Sequence, residues 1–324
     1  MPIPEDYSFT RYLAAKKSVD DRALNYHVRQ SLVQALPLAA PEAPLLILEV
    51  GAGIGTMLER MLEQGLLTYA TFTAIDAQAE NIAEARERLP SWAGDRGFKV
   101  RETSQKGLLL EQEGHRVAIE LEAIDLFDFL TRERGCRRWD LLIAHAFLDL
   151  VDIPATLPIL FPILREGGLF YFTINFDGVT ILEPVIDPHL DELIVSLYHQ
   201  TMDERLVNGK ISGGSRAGRR LFTCLKDAGA QILSAGGSDW VVFSGPAGYP
   251  GDEAWFLHFI IHTIHEALKK HPQMDAVRLA TWVARRHAQV ESGELVCIIH
   301  QLDFVGQVSA RGHCYARHVY PIRR

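Results

Sequence analysis

The chain has 324 residues, 48% hydrophobic and 23% charged, with a formal net charge of −8 and a pI near 5.9. That is ordinary globular composition, and the acidic balance argues against a duplex nucleic-acid binder, which presents a basic face. No apolar run reaches the roughly 18 residues that cross a bilayer, so no membrane partner is expected. The charged start MPIPEDYSFTRYLAAKKSVDD has no signal-peptide core, and the scattered Cys136, Cys224, Cys297 and Cys314 lack metal-ligand spacing. Free thiols, no structural metal and a cytoplasmic, reducing setting are expected.

Residues 8–36 predict one or two helices. Ser18 followed by Asp21 reads as an N-terminal capping signal, and Leu24, Val28 and Leu32 form an apolar stripe. Pro37, Pro41 and Pro44 end this segment, so residues 1–40 read as a helical N-terminal unit, a candidate lid. From Leu45 the pattern alternates. LLILEV is a strand, GTMLERMLEQG a helix, TFTAID a strand, and AENIAEARERL a helix ended by Pro90. FKVRET, GLLLEQ and VAIELEAID read as extended, with Glu113-Gly114 as a hairpin turn. WDLLIAHAF and GGLFYFTINF are strands around the short helix TLPILFPIL.

Residues 180–207 predict a helix, as do SRAGRRLFTCLKDAG, DEAWFLHFIIHTIHEALKK and AVRLATWVARRHAQVESG. SDWVVFSG and LVCIIHQLDFVG are closing strands. The sum is an α/β fold: a Rossmann-like, seven-stranded, mostly parallel sheet with helices on both faces. Residues 41–324 form that unit, with helical cap insertions at about 178–212 and 250–292.

LLILEVGAGIGT (45–56) asks for a ligand. A strand that ends in glycines and opens a helix is a binding position at the carboxyl edge of such a sheet. The dinucleotide fingerprint needs its third glycine at position 56, which is Thr56; the spacing here is Gly51, Gly53, Gly55. That disfavours a nicotinamide dehydrogenase. No Gly-Lys-Ser/Thr follows, so this is no phosphate loop, and GGSRAGRR (213–220) only imitates one.

The pattern E-V-G-A-G-I-G-T resembles the first motif of the class I AdoMet-dependent methyltransferases. Asp76 after the second strand, Asp125 before Leu126, and LREGGLFYFTINF extend the resemblance over residues 45–176 and the closing strands. It implies S-adenosyl-L-methionine (AdoMet) as cofactor. Glu49 would lie near its amino-acid end, and Gly51, Ala52, Gly53, Gly55 and Thr56 would let backbone approach it. Asp76, with Ala77 beside it, would accept the ribose hydroxyls. Asp125 would face the adenine amino group, with Leu126 on the ring. His145, Ala146, Phe147 and Leu148 would stand beside the transferable methyl.

Transfer by direct displacement needs alignment first, and a base only if the acceptor arrives protonated. The N/D-P-P-Y/F tetrad of many amino-group methylases is absent. His145 is the base candidate, against the plainer reading that it contacts cofactor or packs under the cap. Asp149 and Asp152 read as solvated helix-start acids. Tyr12 and Arg22 are candidates to reach the cofactor carboxylate. In DEAWFLHFIIHTIHEALKK, Leu257, Ile260, Ile261, Ile264 and Leu268 form a stripe edged by His258 and His262, with Trp255 and Phe259 opposite. Such a helix is sandwiched against sheet, pocket or a second subunit, so His258 and His262 are pocket candidates and a homodimer is an open expectation. Tyr198, Trp240 and Tyr249 join Trp255 and Phe259 as aromatics for a partly apolar, small-molecule acceptor. The other class of reading is an AdoMet-binding regulatory protein, catalytically silent on the same fold. An aminopropyl transferase would want acids where His-Ala-Phe-Leu stands.

Overall fold

A computed structural model describes residues 2–103, 107–207 and 209–308. Cys314 lies outside the described residues. Helices α1 (Phe9–Ala23) and α2 (Tyr26–Ala35) open the chain. Then follow β1 (Leu45–Val50), α3 (Thr56–Glu63), β2 (Tyr69–Asp76), α4 (Ala79–Asp95), β3 (Lys99–Glu102), β4 (Leu108–Gln112) and β5 (His115–Ala123). The middle holds α5 (Leu126–Glu133), β6 (Trp139–His145), α6 (Ile153–Leu160) and β7 (Leu164–Glu183). The last part comprises α7 (Pro188–Asp203), β8 (Leu206–Val207), β9 (Lys210–Ile211), α8 (Ala217–Asp227), β10 (Ala230–Gly237), β11 (Trp240–Val242), α9 (Glu253–Leu268), α10 (Ala276–Ser292) and β12 (Val296–Val308).

The main sheet has the order β10-β12-β7-β6-β1-β2-β5-β4-β3, with β11 on β12, and ten strands replace the expected seven. The additions are the β3–β4 pair on one edge and β11. Neighbours from β7 to β5 are parallel, while β12 runs antiparallel to β7 and β10. The strand sequence reverses between β1 and β6, the switch point at which such sheets bind ligands.

β1 shows why its run is apolar throughout. Ile47 joins the core under α2, α3 and α4, while Leu48 and Val50 join the core under α5, α6 and α8. A strand covered on both faces has no solvent side to make polar. A third core lies among α1, α7, α9, α10 and the outer halves of β7 and β12. On α2, Val28 and Leu32 are fully buried, each contributing about 1.5–3 kcal/mol.

Several expectations need correction. Ser18 caps nothing: it sits inside α1 and donates from Oγ to Glu253 Oε1 at 2.9 Å, while Ser8 and Asn25 cap α1 and α2. α4 runs through Pro90 to Asp95, because Leu89 and Ala93 continue the buried stripe of Ile82 and Ala85. Packing there outweighs the lost backbone bond. Residues 180–183 extend β7 instead of starting a helix, since Cys297 and Ile298 of β12 pair with Leu182 and Ile181. α7 begins only at Pro188, and the antiparallel pair β8 and β9 follows it. AQILSAGG forms β10, a strand that periodicity did not flag. The hairpin turn stands as expected, with Gln112 paired to His115 and Gly114 at φ +73°. In GGSRAGRR, a Cβ on Gly213 would meet the Leu148 carbonyl at 2.6 Å and one on Gly218 the Asn175 carbonyl at 2.8 Å. Those glycines serve close backbone packing. No helix among the described residues is long and apolar enough to cross a membrane.

Candidate functional site

A cavity of about 640 Å³ opens at the carboxyl ends of β1, β2, β5 and β6. Pockets that hold drug-sized ligands span about 300–1,000 Å³, and this one falls within that range. Its first half is the glycine turn. Gly51, Gly53 and Gly55 have φ of +66°, +54° and +83°, where a side chain is strained. Ala52 N donates to Ile75 O at 3.0 Å and pins the turn to β2. Side chains of the protein itself fill the space a Cβ would take: one on Gly51 would run into the Phe147 ring, one on Gly53 would meet Leu13 of α1 at 3.0 Å, and one on Gly55 would meet Leu89 at 3.2 Å. The glycines therefore serve packing as well as any ligand.

Asp76 ends β2 with a carboxylate fixed in place. Its Oδ2 accepts from Gly53 N at 2.9 Å; its Oδ1 accepts from Gln78 N at 2.8 Å and Asn81 Nδ2 at 3.2 Å. An ionised carboxylate offers about four acceptor positions, so Asp76 keeps capacity toward the cavity it lines. Asp125 caps α5, accepting from Phe127 N at 2.8 Å, and also lines the cavity beside Leu126. Two carboxylates, Asp76 and Asp125, therefore stand on one cavity wall as hydrogen-bond acceptors.

Glu49 lies behind the wall. It is 1% exposed, its Oε2 has no hydrogen-bond partner, and burial pushes its carboxyl up to about 8, opposed by Arg60. Ala52, Thr56, Ala77, Ala146 and Phe147 are on the wall, whereas Gly55 and Leu148 stand behind it with Glu49.

His145 is held on both sides. Nε2 lies 2.9 Å from Asp20 Oδ2 and Nδ1 lies 2.8 Å from Thr173 Oγ1. The partner set assigns Nε2 as the donor to the carboxylate and Nδ1 as acceptor from the hydroxyl. Burial lowers its pKa to about 4, with Asp20 opposing. With both nitrogens engaged, neither is left for a substrate proton.

Asp20 is the centre of this region and is fully buried. It accepts from Trp240 Nε1 at 2.8 Å and pairs with Lys16 at 3.1 Å and Arg60 at 3.3 Å. These cations hold its carboxyl well below the usual range, against the opposing effect of burial. Arg60, 1% exposed, also ties to Asp21, and its NH1 donates to Thr56 Oγ1 at 3.3 Å. Sequence reading missed Asp20 and Arg60. The available signal was the spacing Tyr12, Lys16, Asp20, one α1 face that carries ring, cation and acid together.

The second half of the cavity is roofed by α1 and α9. Tyr12, Tyr198, Trp240 and Phe259 line it, as does Phe176. Tyr12 stacks on Phe259 with centroids 4.2 Å apart. Arg22, expected near the cofactor, instead forks onto Glu253 and is absent from the wall. His258 is buried with its Nδ1 2.7 Å from His287 Nδ1, and His262 stacks on Tyr7 at 3.9 Å. Neither lines the cavity; α9 presents Phe259, Ile260 and Thr263 there, one helical step away. Trp255 packs with Tyr7 and Phe259, and Tyr249 Oη donates to Leu295 O, so both serve the core. Asp152 caps α6, but Asp149 lines the cavity, and burial raises its carboxyl against the pull of Arg205.

The walls carry backbone strain. Ala146 and Ile174 have φ of +50° and +56°. A β-branched residue there is a genuine outlier, and such outliers cluster at functional sites. Ile174 N donates to the buried Asp303 at 2.8 Å, which also accepts from Asn25 N at 2.8 Å. Asp303 thus locks the α1–α2 junction onto the strained strand.

No protein-family model matches the chain, and no curated protein matches it significantly. Solved structures do match. Phosphoethanolamine N-methyltransferase 2 of Haemonchus contortus is 10% identical, with 94% of this chain and 59% of that chain covered and a TM-score of 0.43. Geranyl diphosphate C-methyltransferase of Streptomyces coelicolor is 11% identical, covering 94% and 84%, at a TM-score of 0.41. The cyclase SpnF is 14% identical, covering 95% and 99%, at a TM-score of 0.41. On its strand order, parallel central strands, antiparallel β12 and left-handed glycine turn, the chain has a Rossmann-like α/β fold, with Asp76 and Asp125 on one cavity wall.

Proposed function

We propose that the protein is an AdoMet-dependent methyltransferase acting on a small molecule. One observation carries the reading: a single cavity joins the glycine turn, Asp76 and Asp125 to an aromatic chamber under α1 and α9. AdoMet bound at the turn supplies a methyl on a cationic sulfur, transferred by direct displacement. Asp76 holds the ribose, Asp125 faces the base, and the turn admits the ligand against backbone. The roof of α1 and α9 excludes water and aligns the acceptor, which is most of what a displacement requires. Asp149 stands on the acceptor side with a carboxyl raised by burial, placed to take a proton from an acceptor that arrives protonated. The scattered, unpaired Cys136, Cys224 and Cys297 accord with a reducing, cytoplasmic setting.

Titration calorimetry with AdoMet and S-adenosylhomocysteine tests this reading. Binding of both to wild type, weakened about 100-fold or more in Asp76→Ala by the loss of charged hydrogen bonds, is the expected result. A folded wild type that binds neither ends the proposal. The engagement of both His145 nitrogens favours a second reading, a cofactor-binding protein without turnover. Consumption of AdoMet in the presence of cell-extracted small molecules separates the two.

A further inference from the structure

Gln301 stands on β12 among the buried positions Cys297, Ile299 and Asp303, opposite Phe176 of β7. Its backbone is satisfied: its carbonyl accepts from Ser238 N at 2.9 Å and its N–H donates to Asp239 Oδ1 at 3.3 Å. Its side chain is not. Gln301 is 2% exposed, and Nε2 has no hydrogen-bond partner. Among the described residues it is the one cavity-lining side chain with a buried, unpartnered polar atom. A leucine at this place would avoid the cost of an unmade hydrogen bond.

Two other polar groups of this wall, Lys16 and the Trp240 indole, are already committed. Lys16 pairs with Asp20 at 3.1 Å and sits 5.5 Å from the Trp240 ring centroid. The Trp240 N–H is spent on Asp20, so Trp240 offers the chamber apolar surface. Phe176, Tyr198, Phe259 and Met202 complete a lining suited to a flat ring.

From this arrangement we infer that Gln301 is a specificity-determining residue: its amide donates to a carbonyl or ring-hydroxyl oxygen on a flat aromatic acceptor. The inference rests on reading this half of the cavity as the acceptor side. A site built to hydrogen-bond a ligand oxygen rejects the analogue that lacks it, because the buried donor is then left unpaired.

The test uses a matched pair of probes, 2-naphthol and naphthalene, titrated by ligand-observed NMR into the full-length protein and Gln301→Leu. Wild type is expected to bind 2-naphthol about tenfold or more tighter than naphthalene, a difference of about 1.4 kcal/mol. In Gln301→Leu the preference is expected to fall below about threefold while S-adenosylhomocysteine binds as in wild type. Equal binding of the probes by wild type, no binding of 2-naphthol, or an undiminished preference in the variant overturns the inference. If the leucine variant does not fold, Gln301→Met carries the same comparison. If S-adenosylhomocysteine fails to bind wild type while the naphthol preference still depends on Gln301, the methyltransferase reading falls and the Gln301 assignment stands.

Discussion

Glu49→Gln removes a charge that the folded chain refuses to carry. Glu49 is buried at the end of β1 with Oε2 unpartnered, and burial moves its carboxyl from an ordinary 4.5 to about 8. Below pH 4.5 folded and unfolded chains are both protonated, and the group has no effect on stability. Between 4.5 and about 8 the unfolded chain ionises while the folded one keeps its proton. Stability is therefore lost as pH rises through that window. At about 1.4 kcal/mol per pH unit the full window is worth about 5 kcal/mol. Glutamine is nearly isosteric and does not titrate, so the variant should gain on wild type by several kcal/mol, on the order of 3–4, between pH 5 and pH 8. Urea denaturation of both proteins at pH 5, 6, 7 and 8 measures the difference directly, and other titrating groups cancel in the subtraction. Parallel pH curves would refute the reasoning, since they would mean Glu49 is ionised in the fold. The same proton gives a second readout. If ligand binding drives Glu49 to ionise from behind the cavity wall, binding at pH 7 should release most of a proton, seen as a buffer-dependent binding enthalpy. The glutamine variant should release none.

Three further outcomes follow from the same region. Asp20→Asn strips Lys16 and Arg60 of their shared buried acid, and a loss of about 3–5 kcal/mol is expected by denaturation; a loss below about 1 kcal/mol would show the cations paired elsewhere. Gly51→Ala meets both a φ of +66° and the Phe147 ring, which occupies the place of the new Cβ. It should cost about 1–3 kcal/mol, and in a double-mutant cycle Phe147→Ala should relieve the steric part only. His145, lowered from 6.5 to about 4, gives the opposite slope to Glu49. Below pH 6.5 the unfolded chain binds a proton that the folded one declines, so stability is lost as pH falls toward 4. His145→Gln should flatten about 3 kcal/mol of that loss in acid denaturation.

That the glycine turn, Asp76 and Asp125 gather at one cavity was legible because their placement is local: each stands where a strand gives way to a helix, and its neighbours in sequence set its conformation. The acceptor half was not. His258 and His262 looked like wall residues on a helical wheel, yet Phe259 and Ile260 face the cavity, since the wheel fixes a face but not what docks on it. Asp149 looked solvated because the chain that covers it, near Arg205, is distant in sequence. Arg22 found Glu253, and Asp20 found Trp240, through contacts between residues more than two hundred positions apart. β7 passed for a shorter strand because its outer half is paired only by the final strand of the fold.

The roof helix has a consequence for how the chain is made. α1 leaves the ribosome more than two hundred residues before Trp240, Asp252, Glu253 and Asp303, which fasten it and the α1–α2 junction. Closing contacts of such sequence separation come late in folding and slowly. During synthesis the helix that will seal the chamber waits for its partners, and a nascent chain arrested before residue 240 lacks every one of those fastenings.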